Sequence, residues 1–503
     1  MPSAPRPAPV PRPLAEAAAL LHLSPPESPV AVLGVSHDSR AVQPGDLYAA
    51  LPGALTHGAR YVDQARSAGA VAVLTDPTGQ DAARQTGLPV LVVPDPRAAL
   101  GDVAAWAYGY PAHRLLLVGI TGTNGKTTVS YLAARGLRLA GHRTGVVGTT
   151  GALIGDEQVP SARTTPEATD IHALLAVMVE RGVTAAVLEV SSHALALGRV
   201  NGLRFDVAVF TNLSQDHLDF HGGLEEYFQA KSRLFTPAHA RTAVVCVDDD
   251  WGRRLAAATA LPVTTYGGPD TPADWQLRAA TPSGTGQDVS VIGPAGRHRL
   301  LHVDLPGPFN ALNVLAADLA VRAGGAELDD AAALALGRLV VPGRMERVAG
   351  TDGVEVFVDY AHTPDAVDRV LRATRPAPPG RVLVVLGCGG DRDRGKRPVI
   401  GAVAARLADL LVVTDDNPRS EDPAAIRAAV LAGAADVPEA ERAEVVELGS
   451  RQAAIRAVAD AARPGDAVLI LGKGHEDGQE IAGQRYPFDD RVVAAEAFAA
   501  VRR

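Results

Sequence analysis

The side chains best suited to chemistry lie in one short run, Thr121-Gly122-Thr123-Asn124-Gly125-Lys126-Thr127-Thr128. Residues 115–120 before it are apolar and predict a buried strand, and residues 129–140 after it predict a helix. A glycine-rich turn between a strand and a helix directs backbone N–H groups and the positive end of the helix dipole at one point, which favours a phosphate. Lys126 can neutralise the outer phosphates of a nucleotide, and the Thr127 hydroxyl can bind Mg²⁺. Because Ile120 replaces the first glycine of the G-x-x-x-x-G-K-[ST] motif, an accidental turn is the alternative.

Lysine is rare in this chain, and its positions are therefore informative. Only four of the 48 basic residues are lysines, namely Lys126, Lys231, Lys396 and Lys473. Arginine is planar and does not lose its proton, so a lysine that is retained indicates a place where a compact amine is needed. The preference for a functional lysine over an ordinary surface lysine is greatest at Lys231, which lies in a predicted helix over residues 224–234.

The totals limit the class of protein. A length of 503 residues, 47% of them hydrophobic, predicts about three domains with ample cores. A net charge of −9 argues against bulk nucleic-acid binding. The two cysteines, Cys246 and Cys388, lie in or beside separate predicted strands, so we expect a reducing compartment and no disulfide framework. Residues 18–23 are too short a run to span a membrane, and we expect a cytoplasmic protein without membrane insertion.

Alternating apolar runs and helical patterns predict an α/β fold in three domains. Residues 1–13 contain six prolines, and we expect residues 1–24 to be a disordered lead-in. A small α/β domain is predicted over residues 25–110, and a central phosphate-loop domain with a mainly parallel sheet over residues 111–345. Residues 346–503 predict a doubly wound, Rossmann-like domain.

Two polar clusters follow predicted strands of the central domain. Glu189 to His193 follow one strand, and residues 211–221 follow the next. Ligands of parallel sheets bind beyond the carboxyl ends of the strands, so both clusters should meet the phosphate loop. Glu189 then suits Mg²⁺, and His217 suits a further ligand position or a γ-phosphate contact. A serine nucleophile at Ser191 or Ser192 and a zinc site at His217 and His221 are less favoured alternatives, because the motifs that accompany such sites are missing from the sequence.

Four predicted strands of the last domain end in loops of mixed charge. The loops cover residues 359–364, 387–398, 415–419 and 472–476. Mixed charge suits a zwitterion such as an amino acid, because arginine binds carboxylates while carboxylates and amides accept from an ammonium group. A solvated charged face is the alternative for residues 392–397, although four strands that end alike favour a site.

These motifs together resemble the Mur ligase family of ATP-dependent amide-forming enzymes. T-G-T-N-G-K-T-T, E-V-S-S-H, D-H-L-D-F-H, D-Y-A-H-T-P, G-C-G-G-D-R-D, D-N-P-R and G-K-G-H-E occur in the family's order, and the resemblance covers nearly the whole chain after about residue 30. D-N-P-R is most specific for members that attach a diamino acid to UDP-N-acetylmuramoyl-L-alanyl-D-glutamate, through an acyl phosphate, in peptidoglycan synthesis. Leu197 replaces a glutamine that relatives often have, which removes one expected substrate contact.

The resemblance implies a role for each site residue. The UDP-muramoyl substrate would contact Ser39, Thr164, Thr165, Ser191 and Arg199. ATP would contact Gly122, Thr123, Asn124, Gly125, Lys126, Thr127, Thr128, Asn310, Arg344 and Asp359. Mg²⁺ would be held by Thr127, Glu189, His217 and a carbamylated Lys231, and catalysis would depend on Lys126, Glu189, His217 and Lys231. The amino acid would contact Arg392, Asp416, Asn417, Pro418, Arg419, Gly472 and Glu476.

The expected partners are ATP, the UDP-N-acetylmuramoyl-dipeptide and a diamino acid, with no nucleic acid, and the expected state is a monomer. Meso-2,6-diaminopimelate is favoured because its second carboxylate would pair with Arg419, whereas L-lysine and L-ornithine would leave that charge poorly paired. A folylpolyglutamate synthase-like ligase is one alternative. A non-catalytic nucleotide-binding regulator is another. Such a protein would need the phosphate loop, but it would not need Glu189, His217 and Lys231 together.

Overall fold

The computed structural model of the chain describes residues 5–53, 55–161, 163–348, 353–375 and 380–501. Its strands form sheets in sequence order, so that an N-terminal, a central and a C-terminal region are each built on a main sheet of their own. Helices connect the parallel strands, as the alternating pattern predicts, and the α/β fold class is confirmed. Among the described residues, no helix combines the length and the apolar character that crossing a membrane requires.

The N-terminal region contains a parallel sheet with the order β3-β4-β5-β6, and a short antiparallel pair formed by β1 and β2. Its strands are β1 (Arg12–Pro13), β2 (Ala31–Val32), β3 (Gly34–Ser36), β4 (Asp46–Ala49), β5 (Ala72–Thr75) and β6 (Val90–Val92). Its helices are α1 (Leu14–Leu20), α2 (Val62–Ser67), α3 (Gln80–Gln85) and α4 (Pro96–Ala107).

The predicted disordered lead-in is wrong from Arg12 onward. Helix α1 buries Leu14, Ala17 and Ala18, whose spacing places them on one face of the helix. That face packs in the same apolar cluster as α4, and Trp106 Nε1 of α4 donates a hydrogen bond of 2.9 Å to a Glu16 carboxylate oxygen. The apolar stripe after the last proline of the lead-in therefore outweighs the disorder that the composition predicts.

The central sheet has the order β10-β9-β8-β11-β7-β12-β13-β14-β15-β16-β17. From β8 to β15 all neighbours are parallel, and both outer flanks are antiparallel. Its strands are β7 (Leu116–Thr121), β8 (Thr144–Gly148), β9 (Gly151–Ile154), β10 (Glu157–Val159), β11 (Ala185–Glu189), β12 (Phe205–Phe210), β13 (Ala240–Cys246), β14 (Val263–Gly267), β15 (Trp275–Ser283), β16 (Gly286–Ile292) and β17 (His298–Val303). Its helices are α5 (Lys126–Leu139), α6 (Ala168–Glu180), α7 (Ser192–Ala196), α8 (Leu218–His221), α9 (Leu224–Ser232), α10 (Asp250–Ala258), α11 (Pro308–Ala323) and α12 (Asp330–Ala335).

Strand β7 shows why the sheet is covered on both faces. Successive side chains of a strand point to opposite faces, and the buried residues of β7 divide accordingly. Val118 and Ile120 belong to the apolar cluster that contains α5 and α11, while Leu117 belongs to the cluster that contains α6. The carboxyl end of β7, which leads into the phosphate loop, is therefore held firmly between two layers of helices.

The C-terminal sheet has the order β18-β19-β23-β20-β21-β22, and only its pair β18–β19 is antiparallel within the described residues. Its strands are β18 (Glu346–Val348), β19 (Glu355–Asp359), β20 (Val382–Leu386), β21 (Leu410–Val413), β22 (Glu444–Glu447) and β23 (Ala467–Leu471), and a hairpin of β24 (Gly478–Ile481) and β25 (Gln484–Pro487) follows. Its helices are α13 (Pro364–Thr374), α14 (Lys396–Leu407), α15 (Pro423–Ala435), α16 (Arg451–Ala461) and α17 (Asp490–Val501).

The C-terminal region packs directly on the central region. Helices α13, α14 and α15 cover one face of its sheet, and α16 and α17 cover the other. The first of these two layers belongs to the same buried apolar cluster as α5 and α11 of the central region. The carboxyl ends of β19, β20, β21 and β23 share one edge of the C-terminal sheet, as the sequence predicts for its polar loops.

Candidate active site

The phosphate loop lies between β7 and α5, as predicted. Gly122 and Gly125 have φ angles of +149° and +88°, which favour glycine. A side chain at Gly122 would also overlap the Thr211 hydroxyl. Asn212, at the end of β12, anchors the loop by accepting hydrogen bonds from the backbone N–H groups of Thr123 and Asn124, at 2.9 and 3.0 Å. The neighbouring strand therefore fixes the conformation of the loop.

Lys126 rests on the loop that it belongs to. Its Nζ donates hydrogen bonds of 2.8 Å to the carbonyl oxygens of Gly122 and Thr123. Burial lowers the pKa of the Lys126 amine from its ordinary value, while the carboxylates of Glu189 and Asp216 act in the opposite direction. The side chain is therefore held against the phosphate loop, and an anion beside it would favour its charged form.

Glu189 is a fully buried carboxylate in contact with the phosphate loop. Its Oε2 accepts hydrogen bonds from Thr127 Oγ1 at 3.0 Å and from Thr149 Oγ1 at 2.9 Å. Its Oε1 accepts from the backbone N–H of Thr149 at 2.9 Å. Arg344, from the segment between the central and C-terminal sheets, donates to Thr127 Oγ1 at 2.8 Å. Thr149 follows β8 and was not predicted as a site residue, because the adjacent threonines Thr149 and Thr150 form no recognisable sequence motif.

Lys231 lies at the end of α9 and reaches beneath the phosphate loop. Its side chain is 1% exposed, its Nζ donates to the Gly122 carbonyl at 2.9 Å, and it lies 4.4 Å from the centre of the Tyr227 ring. Burial and the nearby charge of Lys126 hold the pKa of Lys231 well below its ordinary value. The burial of Lys231 excludes the alternative of an ordinary surface lysine, and its functional role stays a prediction.

His217 stands beside a buried carboxylate at the mouth of the site. Its Nε2 lies 3.3 Å from Asp216 Oδ2, and its backbone φ is +54°. Burial lowers the pKa of His217 to about 3, although Asp216 opposes that shift. His362 and Lys396 reach the same carboxylate from the C-terminal region, each 4.0 Å away. Burial raises the pKa of Asp216, but its interactions with His217, His362 and Lys396 outweigh burial and lower it to about 2.

The remaining predicted ATP residues line the same cavity, whose volume is about 360 Å³. Asn310 begins α11 and donates from Nδ2 to the Pro306 carbonyl at 2.8 Å. Asp359 ends β19, and its carboxylate accepts from the backbone N–H groups of Met345 and Ala361, both at 2.7 Å. Burial raises the pKa of Asp359 despite these contacts and the nearby Arg344. Asp359 therefore fixes the segment that carries Arg344.

The predicted UDP-muramoyl residues lie around two cavities. Thr164 and Ser191 line the nucleotide cavity, whereas Ser39 lines a larger cavity of about 1300 Å³ between the N-terminal and central regions. Thr165 lies beside the first cavity, because its hydroxyl donates to the Glu189 carbonyl at 2.8 Å and accepts from the Ser191 N–H at 3.0 Å. The second cavity is also lined by four basic residues, Arg6, Arg40, Arg97 and Arg163.

Arg199 does not line the larger cavity itself but holds one of its walls. Its Nε lies 2.9 Å from a Glu167 oxygen, and its Nη1 donates to the Thr165 carbonyl at 3.3 Å. Glu167, which also pairs with Arg97 and Arg163, lines the larger cavity. Direct contact between Arg199 and a substrate stays a prediction.

The predicted amino-acid residues come together at the carboxyl edge of the C-terminal sheet. Asn417 Nδ2 donates to Glu476 Oε2 at 2.8 Å, and a Cβ at Gly472 would lie 2.5 Å from Asp416 Oδ2. Arg419 Nη1 donates to the Gly390 carbonyl at 2.7 Å, and its Nε lies 3.4 Å from Glu480. Pro418, which lies between Asn417 and Arg419 in the sequence, is buried. Arg392 is exposed on the neighbouring loop.

The C-terminal edge also reaches the nucleotide cavity. His475 Nε2 lies 3.1 Å from the Thr149 carbonyl oxygen, and Asn124 Nδ2 donates to Asp365 at 3.0 Å. The imidazole of His475 thus links the amino-acid loop to the residue that holds Glu189. Neither His475 nor Asp365 was predicted, because their motif positions gave no sign of a contact between regions.

The less favoured alternatives gain no support. Ser191 Oγ caps helix α7 by accepting from the Ala194 N–H, and Ser192 is buried against His221 at 2.9 Å. No group of three or more His, Cys, Asp or Glu side chains arranged for a metal occurs in the part of the chain that the structure describes. Both Cys246 and Cys388 are buried and free.

Comparison with protein-family models matches most of the chain. A model described as "Mur ligase family, catalytic domain" matches residues 31–108, "Mur ligase middle domain" matches residues 120–321, and "Mur ligase, glutamate ligase domain" matches residues 343–474. These matches cover the regions that carry the N-terminal, central and C-terminal sheets.

Curated relatives match over nearly their whole length. A UDP-N-acetylmuramoyl-L-alanyl-D-glutamate--2,6-diaminopimelate ligase of Streptomyces avermitilis is 55% identical over 99% of this chain and 98% of the relative. The ligase of the same name from Streptomyces coelicolor is 54% identical over 96% of each chain. A UDP-N-acetylmuramyl-tripeptide synthetase of Leifsonia xyli subsp. xyli is 47% identical over 97% of this chain and 96% of the relative.

Solved structures agree with this placement. A structure of a UDP-N-acetylmuramoyl-L-alanyl-D-glutamate--2,6-diaminopimelate ligase has a TM-score of 0.68 and 33% identity, and the alignment covers 98% of this chain and 100% of that chain. A folylpolyglutamate synthase of Mycobacterium tuberculosis has a TM-score of 0.62 at 20% identity over 81% of this chain and 95% of that chain, which is a likeness of fold alone. The predicted resemblance is confirmed, and the chain belongs to the Mur ligase family of ATP-dependent ligases.

Proposed function

We propose that this enzyme adds meso-2,6-diaminopimelate to UDP-N-acetylmuramoyl-L-alanyl-D-glutamate, with ATP as the energy source, in peptidoglycan precursor synthesis. The observation that carries the proposal is that the segment of Arg344 and the predicted amino-acid loop both contact residues around the phosphate loop. Arg344 bonds to Thr127 of the phosphate loop, and His475 of the amino-acid loop bonds to Thr149 beside Glu189. The names of the relatives with 55% and 54% identity support the same substrate pair.

The oxygen donors near the phosphate loop fit Mg²⁺. Mg²⁺ is usually held by one or two carboxylates together with substrate phosphates and water, and Glu189 and the Thr127 hydroxyl are hard oxygen donors of that kind. The imidazole of His217 is a less suitable donor and already pairs with Asp216, so we assign it a phosphate contact instead. Bound there, Mg²⁺ would neutralise charge on the phosphates.

The surroundings of Lys231 support the proposal that its amine is carbamylated. Reaction with CO₂ needs an unprotonated amine, and burial keeps this amine neutral more readily than a surface lysine. The product is an anion on a chain that lies within hydrogen-bonding distance of the loop carbonyl of Gly122. That carbonyl would repel the new anion, so the carbamate would turn toward the proposed Mg²⁺. An arginine cannot undergo this reaction, which accounts for the retained lysine.

The reaction is an in-line transfer followed by an acyl transfer. A D-glutamyl carboxylate oxygen bonds to the γ-phosphorus of ATP while the bond to the β-phosphate oxygen breaks, which releases ADP and leaves an acyl phosphate. The lone pair of the diamino acid's amine then bonds to the acyl carbon, the carbon–oxygen bond to phosphate breaks, and the amine proton passes to solvent. Lys126 lies where it can neutralise the transferred phosphoryl group.

The identity of the amino acid rests on Arg419. This guanidinium contacts the Gly390 carbonyl and Glu480, and its position on the edge loop suits the second carboxylate of diaminopimelate. L-lysine and L-ornithine have no second carboxylate to pair with it. They stay as alternatives, because the relative from Leifsonia xyli is named without a particular amino acid.

The domain limits and the remaining partners are proposals as well. Boundaries at residues 25–110, 111–345 and 346–503 are supported by the family matches over residues 31–108, 120–321 and 343–474. A monomeric state and a cytoplasmic location stay predictions from the sequence.

Phosphate release from ATP tests the proposed reaction. We expect release only when both the UDP-muramoyl dipeptide and diaminopimelate are present. Lys126→Ala should abolish it, whereas Arg138→Ala, on the half-exposed last turn of the same helix, should keep near-normal turnover. Near-normal activity in Lys126→Ala would refute the scheme. Release that does not need both co-substrates would contradict the proposed ligase reaction. No release at all would favour a non-catalytic nucleotide-binding regulator, and release with a folate substrate would favour a folylpolyglutamate synthase.

A further inference from the structure

Lys473 is a buried lysine to which the proposed reaction gives no task. It lies two residues after the end of strand β23, and its side chain is 0% exposed. Its Nζ lies 3.1 Å from Asn417 Oδ1, 3.0 Å from Glu476 Oε2 and 2.6 Å from the Gly478 carbonyl oxygen. An ammonium group has three N–H donors, and these acceptors use all three. The Lys473 ammonium has therefore no donor left for a bound molecule.

Two of the three acceptors belong to residues of the proposed amino-acid site. Asn417 Oδ1 also accepts from the Glu480 N–H at 2.9 Å, and Asn417 Nδ2 donates to Glu476 Oε2 at 2.8 Å. The amide is thereby fixed in one orientation, with its oxygen toward donors and its nitrogen toward the carboxylate. Lys473, Asn417 and Glu476 form a closed triangle of hydrogen bonds without any substrate.

The triangle also determines which part of Glu476 is free to bind. Lys473 and Asn417 both bond to Oε2, so Oε1 is the carboxylate oxygen that remains for the ammonium group of an amino acid. The Glu476 side chain is 30% exposed and can be reached from the cleft, whereas Lys473 cannot. A fully buried ammonium next to the carboxylate compensates its charge and holds it in place.

We propose that Lys473 is a positioning residue for the amino-acid substrate, which fixes the side chains of Asn417 and Glu476 without touching the substrate itself. The inference rests on the proposed function, because it assumes that Asn417 and Glu476 bind the diamino acid. It also explains why a chain with only four lysines among 48 basic residues keeps one here. Three acceptors arranged around a point suit a compact ammonium, whereas a planar guanidinium presents its donors in a fork.

Kinetic constants for each substrate test this role. Lys473→Met keeps the length of the side chain and removes its charge and donors. We expect the KM for diaminopimelate to rise roughly 10- to 100-fold, as for the loss of a hydrogen bond to a charged group. The KM values for ATP and for the UDP-muramoyl dipeptide should change little, because those sites lie on other loops. Lys473→Arg should also raise the KM for diaminopimelate, since its fork cannot match the three acceptors.

A matched control separates positioning from general damage to the domain. Arg381→Met breaks the ion pair of 2.7 Å between Arg381 and Asp466, at the opposite edge of the same sheet. It should leave the KM for diaminopimelate unchanged. The Lys473→Met/Glu476→Gln double variant should be little worse than Glu476→Gln alone, because Lys473 acts through the side chains that it positions.

The outcomes distinguish the inference from the function on which it rests. A normal KM for diaminopimelate in Lys473→Met, or an equal rise in all three KM values, would overturn the positioning role while wild-type turnover still supports the ligase. If Lys473→Met does not fold, a normal KM for diaminopimelate in Lys473→Arg would overturn it in the same way. Absence of diaminopimelate-dependent turnover in the wild type would overturn the proposed function, and this inference with it.

Discussion

Replacement of Thr149 by valine should weaken the proposed Mg²⁺ site without disturbing the fold. The Glu189 carboxylate is fully buried and accepts three hydrogen bonds, from Thr127 Oγ1, Thr149 Oγ1 and the Thr149 N–H. Thr149→Val keeps the shape of the side chain and the backbone N–H, and it removes one hydroxyl donor. Glu189 then has two donors in place of three, and its orientation toward a metal is less restricted.

The expected size follows from the kind of hydrogen bond that is lost. A hydrogen bond to a charged group contributes about 1.5 to 3 kcal/mol, and about 1.4 kcal/mol corresponds to a tenfold change. The Mg²⁺ concentration for half-maximal phosphate release should therefore rise roughly 10- to 150-fold. Turnover at saturating Mg²⁺ should recover most of its wild-type value, because Glu189 itself and its two remaining hydrogen bonds are kept.

The next residue in the chain provides the control. Thr150 Oγ1 pairs with the Tyr131 hydroxyl at 2.8 Å and is not bonded to Glu189. Thr150→Val removes the same hydroxyl from the neighbouring position, so its Mg²⁺ dependence should equal that of the wild type. An unchanged Mg²⁺ titration in Thr149→Val, or an equal shift in both variants, would refute the reasoning that Thr149 orients a metal-binding carboxylate.

Further predictions follow from other buried groups. Lys231→Arg keeps a positive charge but cannot form a carbamate, so turnover should fall roughly 100-fold or more, and wild-type turnover should drop on removal of CO₂ and return with bicarbonate. His475→Ala loses the hydrogen bond to the Thr149 carbonyl and should slow turnover roughly fivefold, whereas His475→Gln, which can still donate, should be nearly normal. Burial lowers the pKa of His172 to about 4, so the unfolded chain binds a proton between about pH 6.5 and pH 4 that the folded chain does not. The free energy of unfolding should therefore decrease by about 1.4 kcal/mol for each unit by which the pH is lowered in that window. His172→Gln should flatten this slope when it is measured by denaturant titration. Activity in Lys231→Arg, a deficient His475→Gln or an unaltered slope would each contradict the corresponding argument.

Strands and their polar ends were the most predictable parts of the fold. The polar stretches that begin at residues 211, 387 and 472 were predicted to follow strands, and in the structure strands end at Phe210, Leu386 and Leu471. These strands are buried on both faces, so hydrophobicity alone reveals them. The phosphate loop was predictable because its chemistry is local to one turn between strand and helix.

The start of the chain was mispredicted because composition and periodicity pointed in different directions. Six prolines suggested disorder throughout residues 1–24, but Leu14, Ala17 and Ala18 form an apolar stripe after the last of them. The stripe acquires its stabilising value only from helix α4, which lies about eighty residues later in the chain. A partner so distant in sequence gives no local signal.

Contacts between regions could not be predicted for a related reason. The hydrogen bond between His475 and Thr149 joins residues that are 326 positions apart, and Asn124 and Asp365 are 241 apart. Each of these side chains has an ordinary local sequence, and only the docking of the C-terminal sheet on the central sheet makes it part of the site. Lys473 is an intermediate case, because its rarity was visible in the sequence whereas its partners were not.

The most direct test of the account compares diamino acids in one assay. Wild-type enzyme with ATP, Mg²⁺ and UDP-N-acetylmuramoyl-L-alanyl-D-glutamate would receive meso-2,6-diaminopimelate, L-lysine or L-ornithine in parallel, and phosphate release and the mass of the product would be measured. We expect release and a tripeptide product with diaminopimelate alone, because Arg419 needs a second carboxylate as its partner. A tripeptide with lysine or ornithine but not with diaminopimelate would contradict the role of Arg419, and no tripeptide with any of them would contradict the ligase itself.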